Sequence, residues 1–341
     1  MKVDVIIPTY KPGKKFLNLL NMLAKQTYEI NHIIIMNTEE KYFDRFVFEN
    51  GGIERFSNAS VHHLSRKEFD HGGTRKNAVA LSDADCFVCM TDDAMPEDEF
   101  LIERLVRPIE EGTAQAAYAR QCPGKKATAI ERYSREFNYP NQSVLKSAED
   151  IDKLGIKTYF CSNVCAAYDR KVYDELGGFV KHTIFNEDMI YAAGLINAGY
   201  KIAYVAEARV IHSHQYTNIQ QLKRNFDLGV SHAQFPEIFD AVPPNKEGMK
   251  LVKGTAKYLK KIGKRSKIIG LYVTSAYKYL GYKLGKNYEH LPDGLVRRLS
   301  MNAAYWSKGD VAKIMIDPYA GYGRSKEEDS WNRNINKKGS K

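Results

Sequence analysis

Two adjacent carboxylates, Asp92 and Asp93, follow the apolar run Cys86-Phe87-Val88-Cys89-Met90. That run, led in by Ser82-Asp83-Ala84-Asp85, reads as a buried strand, so the pair stands where a strand ends. Ligands of open α/β sheets bind beyond the carboxyl ends of strands. Carboxylate oxygens with room for water suit Mg²⁺ or Mn²⁺. Taken alone, the same residues serve equally well as a solvated turn before a helix opened by Pro96-Glu97-Asp98. A second acidic pair, Glu187-Asp188, opens a helical pattern, where acidic residues also compensate the helix dipole. His212 and His214 are spaced so that on an extended segment both face one side; two surface histidines are the plainer reading. In Phe69-Asp70-His71-Gly72-Gly73-Thr74-Arg75 the glycines allow backbone to approach a ligand closely. Arg75 there offers a fork suited to phosphate. Asp70 is equally suited to capping a helix.

The elements that must hold these residues alternate. Lys2–Ile7 reads as a strand ended by Pro8-Thr9-Tyr10, and Gly13–Gln26 has helical periodicity through Phe16, Leu19, Leu20 and Leu23. Strands are expected at His32–Met36, Val61–Leu64, Cys86–Thr91 and Gln115–Ala119. A polar loop is expected over 66–73, with helices at Thr74–Leu81 and about 99–111. This rhythm predicts a doubly wound, mostly parallel α/β sheet. The dinucleotide signature GxGxxG does not follow the first strand. Residues 120–157 are polar and give no clear pattern. Further on, a helix from Glu187 to about Ala198, a strand at Lys201–Val205 and an extended Val210–His214 are expected, then basic helices beyond Asn218.

The order Ile7-Pro8-Thr9-Tyr10, Thr91-Asp92-Asp93, Glu187-Asp188, His212/His214 resembles the inverting family 2 glycosyltransferases, whose fold is of the GT-A type. The segment Phe69–Arg75 resembles the F-(D/N)-H-G-x-T-R loop of bacterial rhamnosyltransferases that use dTDP-L-rhamnose. Many of those relatives place Asn directly after the Arg; here Lys76 intervenes before Asn77. The resemblance spans roughly residues 1–215 and, more loosely, Tyr277–Trp306. It implies that Asp93 ligates the metal, with His212 or His214 completing its shell, and that Asp92 contacts the ribose or a metal-bound water. It places the general base in the pair Glu187-Asp188, with Asp188 favoured. Pro8, Thr9 and Tyr10 would meet the base, Glu39 or Glu40 would accept the thymine or uracil N3–H, and Asp70 and His71 would bind sugar hydroxyls. The rival donors are a UDP-hexose or UDP-N-acetylhexosamine. A rival of another class is a non-catalytic membrane- or polyanion-binding protein.

The chain's net charge of +10 is concentrated: residues 246–286 hold 11 Lys and one Arg against Glu247 alone. On one helix Lys246, Lys250, Lys253, Lys257, Lys260, Lys261 and Lys264 would fall within about a 100° arc. Such a helix suits an anionic membrane surface, or simply a solvated face. No recognisable DNA or RNA module accompanies it, which argues against nucleic acid. Five cysteines, mostly in apolar runs, fit reduced thiols. Cys86 and Cys89 would point to opposite faces of a strand and share no metal. No apolar run reaches the roughly 20 residues of a membrane span, and Met1–Asp4 leads straight into a strand without a secretory pattern. The expected organisation is a catalytic unit over 1–218, a helical basic region over 219–323 that associates with acceptor or membrane, and a polar tail over 324–341. The expected setting is cytoplasmic, peripheral on the inner face of the cell membrane, with a lipid-linked glycan as acceptor.

Overall fold

The computed structural model describes residues 1–53, 55–241 and 245–307 of the protein; the polar tail expected over 324–341 lies outside them. Strand β1 (Val3–Tyr10) lies between β2 (His32–Thr38) and β4 (Cys86–Met90), parallel to both, and β3 (Ala59–Leu64) extends the parallel set beyond β2. The far half is mixed. β8 (Cys165–Asp169) runs antiparallel between β4 and β6 (Ala116–Cys122), and β9 (Ile202–Ile211) is parallel to β6. Two short strands, β5 (Met95–Pro96) and β7 (Val144–Lys146), pair antiparallel with β9.

Alternation along each strand feeds two cores. Val3, Val5 and Ile7 of β1 enter one, and Ile6 enters the other. The first core is closed by α1 (Lys14–Leu23), α2 (Glu40–Asn50) and α4 (Leu101–Glu110). The second is closed by α3 (His71–Ala80) and α8 (Glu187–Asn197). Cys86 belongs to the first core and Cys89 to the second, as opposite-face spacing requires, and all five cysteines are free thiols. Residues 120–157, silent in sequence, hold α5 (Ala129–Asn138) and α6 (Ile151–Leu154); α7 (Arg170–Glu175) follows β8.

Three expectations need correction. The loop expected over 66–73 stops at Asp70, because its Oδ1 accepts from the Gly72 and Gly73 amides and starts α3 at His71. The two extended pieces expected around 201–214 are one strand, β9, which ends before His212. The lysine helix is not continuous: α11 (Asn245–Lys261) ends before Gly263, whose φ of +73 lies in the left-handed region that favours glycine, and leaves Lys264 outside the helix.

The last helices form a separate layer. α9 (Asn218–Gln234) is followed by the short α10 (Pro236–Phe239), then α11, α12 (Lys267–Lys286) and α13 (Asp293–Leu299). α9 and α12 meet backbone to backbone. A Cβ on Gly281 would lie 2.1 Å from the Leu222 carbonyl oxygen, and one on Gly285 would lie 2.0 Å from that of Phe226. Only glycine permits this approach.

Candidate active site

The carboxyl ends of β1 and β4 lie side by side where the strand order reverses, and there Thr9 Oγ1 donates to Asp92 Oδ2 at 2.7 Å. Burial raises the Asp92 carboxyl above its ordinary range, against the pull of that hydrogen bond. Its neighbour Asp93 faces the segment after β9. Asp93 Oδ1 lies 3.4 Å from His212 Nε2, and Oδ2 lies 3.3 Å from His214 Nε2. Donor atoms of all three residues fall within 4.8 Å of one another. Burial works to raise the Asp93 carboxyl, but His212 and His214 outweigh it and hold it at about 2. Burial and the neighbouring His212 lower the His214 imidazole to about 4.

This set fits a divalent cation on its own chemistry. The His212 ring is held from behind: its Nδ1 lies 2.9 Å from Gln121 Oε1 and 3.3 Å from Arg135 Nη2, which leaves Nε2 toward Asp93. Arg135 donates to the same Gln121 oxygen, and Gln121 Nε2 donates to Ser162 Oγ at 3.0 Å. One carboxylate and two imidazoles converge on one point.

The acidic pair is built differently. Asn186 caps α8 with φ +66, a left-handed conformation that Asn tolerates. Its side chain donates to Ser231 Oγ on α9 at 3.2 Å. The turn presents Glu187 and Asp188 to Asn163. The Asn163 amide donates to Asp188 Oδ2 at 2.9 Å, and its side chain donates to Glu187 Oε1 at 3.1 Å. Tyr168 OH donates to Asn163 Oδ1 at 2.8 Å and fixes that amide. Burial, then the adjacent Glu187, raises the Asp188 carboxyl well above the usual carboxylate range.

The expected phosphate fork of Arg75 points elsewhere. Its Nη1 pairs with Glu187 Oε1 at 3.0 Å, both side chains being 6% exposed, and also donates to the His71 carbonyl at 3.1 Å. Asp70 is 2% exposed and occupied by the helix cap and the Thr183 amide at 3.3 Å. The glycines beside it admit the chain's own backbone: a Cβ on Gly72 would lie 2.1 Å from the Val180 carbonyl oxygen, and one on Gly73 would lie 2.6 Å from that of Lys181. Burial lowers the His71 imidazole, which keeps it neutral.

At the end of β1, Tyr10 is exposed and stands edge-on to Tyr42 at 5.4 Å. Lys11 Nζ lies 5.2 Å from the Tyr10 ring and the Arg66 guanidinium 5.5 Å. Pro8 precedes this corner in β1. Glu39 accepts from the Arg66 amide at 2.9 Å and pairs with Lys41 at 3.6 Å, while Glu40 begins α2. The structure therefore gathers the candidates into three neighbourhoods: the metal corner, the acidic turn tied to the Asp70–Arg75 segment, and the aromatic-cationic corner. Sequence reading missed Gln121, Arg135 and Asn163. Each is a single polar residue whose side-chain hydrogen-bond partners lie 5 to 91 positions away, and no local pattern marks it.

The description "Glycosyl transferase family 2" matches residues 4–177, over half of the chain. The chain belongs to glycosyltransferase family 2. This glycosyltransferase is 42% identical over 309 residues to the O-antigen chain rhamnosyltransferase RfbN of Salmonella typhimurium, covering 90% of this chain and 96% of that protein. It is 39% identical over 306 residues to the O-antigen chain rhamnosyltransferase WbaN of Salmonella anatum, covering 89% and 95%. Among solved structures it is similar to the mannosyltransferase PcManGT of Pyrobaculum calidifontis, solved in complex with GDP-Man and Mn²⁺. That match has a TM-score of 0.51 and 14% identity, covers 90% of this chain and 88% of that one, and speaks to the fold alone. The glycosyltransferase thus has the GT-A type fold, and the expected family and fold stand.

Proposed function

We propose that this enzyme transfers L-rhamnose from dTDP-β-L-rhamnose to a hydroxyl of a lipid-linked glycan, with inversion, in the building of a cell-surface polysaccharide. The observation that carries the sugar is the near end-to-end likeness to two proteins named as O-antigen chain rhamnosyltransferases. The Asp70–Arg75 segment supports it, because its ion pair joins the loop that names the donor to the turn that holds the base.

In this reading Asp188 accepts the proton of the acceptor hydroxyl as that oxygen attacks the anomeric carbon opposite the diphosphate. A base works best with its pKa near the working pH, and burial beside Glu187 moves Asp188 in that direction. Arg75 neutralises Glu187, so the pair carries one net negative charge rather than two. Asn163 holds the Asp188 carboxylate by its amide at Oδ2, and the Met189 amide donates to Oδ1 at 2.8 Å. Asp93, His212 and His214 would hold Mn²⁺ or Mg²⁺, which when bound stabilises negative charge on the leaving diphosphate. Asp92, steadied by Thr9, would meet the ribose, and the exposed Tyr10 ring with Lys11 and Arg66 would receive the base and its phosphates. The proposed setting is the cytoplasmic face of the cell membrane, where a nucleotide-sugar donor and a lipid-linked acceptor meet.

A thermal-shift panel of sugar nucleotides with Mn²⁺ tests the donor. A ligand that binds only the folded state raises stability with ln(1 + [L]/Kd), so dTDP-rhamnose is expected to stabilise more than UDP-glucose or UDP-N-acetylglucosamine. Equal or reversed order would remove the rhamnosyl assignment and leave the family.

A further inference from the structure

One face of α12 is apolar and, among the described residues, uncovered. Ile269 is 74% exposed, Tyr272 54%, Val273 43%, Tyr279 61% and Leu280 51%. At 100° per residue these side chains, with Ala276 between them, span about a 120° arc. The opposite face is spent: Leu271, Gly281 and Gly285 are buried, the two glycines against α9. The exposed arc therefore does no packing work within the described residues, and leaving it in water is unfavourable.

The charge around it says what covers it. No Asp or Glu occurs from Gly248 to Tyr288. Lys264 and Arg265 are exposed ahead of the arc, Lys267 is exposed at the start of α12, and Lys283 lies within the arc. The adjoining α11 exposes Lys250, Lys253, Lys257, Lys260 and Lys261. A second copy of this chain would bring two wholly basic surfaces together, which like-charge repulsion opposes. An anionic bilayer answers both features at once. The apolar side chains enter the acyl boundary, tyrosines sit at headgroup depth, and lysines meet the phosphates. None of the described helices is long and apolar enough to cross a membrane, so the helix lies in the interface rather than spanning it.

We propose that the Ile269–Leu280 face of α12 is the surface on which this enzyme rests on an anionic bilayer, with the α11 and turn lysines as its electrostatic flank. This deepens the proposed function and rests on its lipid-linked acceptor. The experiment contains neither donor nor acceptor, so a wrong sugar assignment leaves it untouched.

The test is sedimentation of the full chain with phosphatidylglycerol-containing vesicles and with phosphatidylcholine vesicles, at low and high salt. The wild type is expected to bind the anionic vesicles and to be partly released by salt. The triple variant Ile269→Gln, Val273→Gln, Leu280→Gln keeps every lysine and changes only exposed side chains. It is expected to melt like the wild type and to lose about 100-fold or more in partitioning. Replacing Lys250, Lys253, Lys257 and Lys261 with Glu is expected to remove the salt-sensitive part. Wild-type-like binding by the triple variant would overturn the proposal, as would a wild type that ignores anionic vesicles. A dimer that the triple variant converts to monomer would also overturn it, by making the face a contact between copies.

Discussion

Replacing Arg75 with Met is the most informative single change at the site, because it separates two roles for one guanidinium. The Arg75–Glu187 pair is 3.0 Å long and almost completely buried. At an effective dielectric of about 20, two unit charges at that distance attract by about 5 kcal/mol. Removing one partner of a buried pair typically costs about 3–5 kcal/mol, because the other charge stays behind uncompensated. Arg75→Met is therefore expected to lose about 3–5 kcal/mol in urea unfolding followed by circular dichroism. The double variant Arg75→Met, Glu187→Gln is expected to regain most of that. Arg75 also helps to keep Asp188 ionised, so removing it raises the Asp188 carboxyl further. The acid limb of the kcat profile should then move to higher pH. If Arg75→Met unfolds within about 1 kcal/mol of wild type and only the donor KM rises, the guanidinium serves a phosphate, and the brace described above is wrong.

Other expectations follow from the same geometry. Asp188→Asn keeps the amide contact to Asn163 but takes no proton; kcat should fall roughly 10²–10⁴-fold with donor affinity, read by calorimetry, nearly unchanged. Asp93→Ala should abolish Mn²⁺ binding read by electron paramagnetic resonance and weaken donor binding with it; normal turnover in that variant would dismiss the metal corner. Gln121→Leu releases the His212 ring and should weaken Mn²⁺ binding about 10–100-fold; an unchanged affinity would mean that the ring needs no orienting partner. Asp227, buried on α9 and accepting from the Met301 amide at 2.9 Å, has its carboxyl raised by burial from 3.8 to about 7. The folded state then holds a proton that the unfolded chain has lost. Stability should therefore fall as pH rises from about 4 to about 7, by up to about 4 kcal/mol, and Asp227→Asn should flatten that slope.

The parallel half of the sheet was legible because β1, β2 and β4 are continuous apolar runs that local pattern identifies. The mixed half was not, since β8 is recognised as antiparallel only by its neighbours β4 and β6. His212 and His214 could be read as facing one side, and both do reach Asp93. Arg75 shows the limit. Its residue type announces a bidentate anion site but does not say which anion, and the structure supplies a carboxylate 112 positions away in the chain. The start of α3 was only half legible: Asp70 could be read as a helix cap, but Gly72-Gly73 also reads as loop, and the structure closes the Asp70 carboxylate on both of their amides.

The glycine contact between α9 and α12 has a mechanical meaning. With no side chains between the two backbones, the pair has no slack and moves as one rod. The same α9 holds the turn of Glu187 and Asp188: Ser231 receives the Asn186 side chain and donates to the Phe185 carbonyl at 2.8 Å, and Phe226 and Val230 pack with Ile184. The turn carrying Asp188 therefore stands at a fixed height above any surface on which α12 lies. If the proposed face of α12 rests on a bilayer, the enzyme is expected to act as a ruler, selecting hydroxyls by their distance from the bilayer as well as by their chemistry. Acceptors whose glycan is held nearer to or farther from the lipid by one sugar unit should lose kcat on vesicles while reacting alike once the same glycans are freed from lipid; equal rates on vesicles would show that the rod bends.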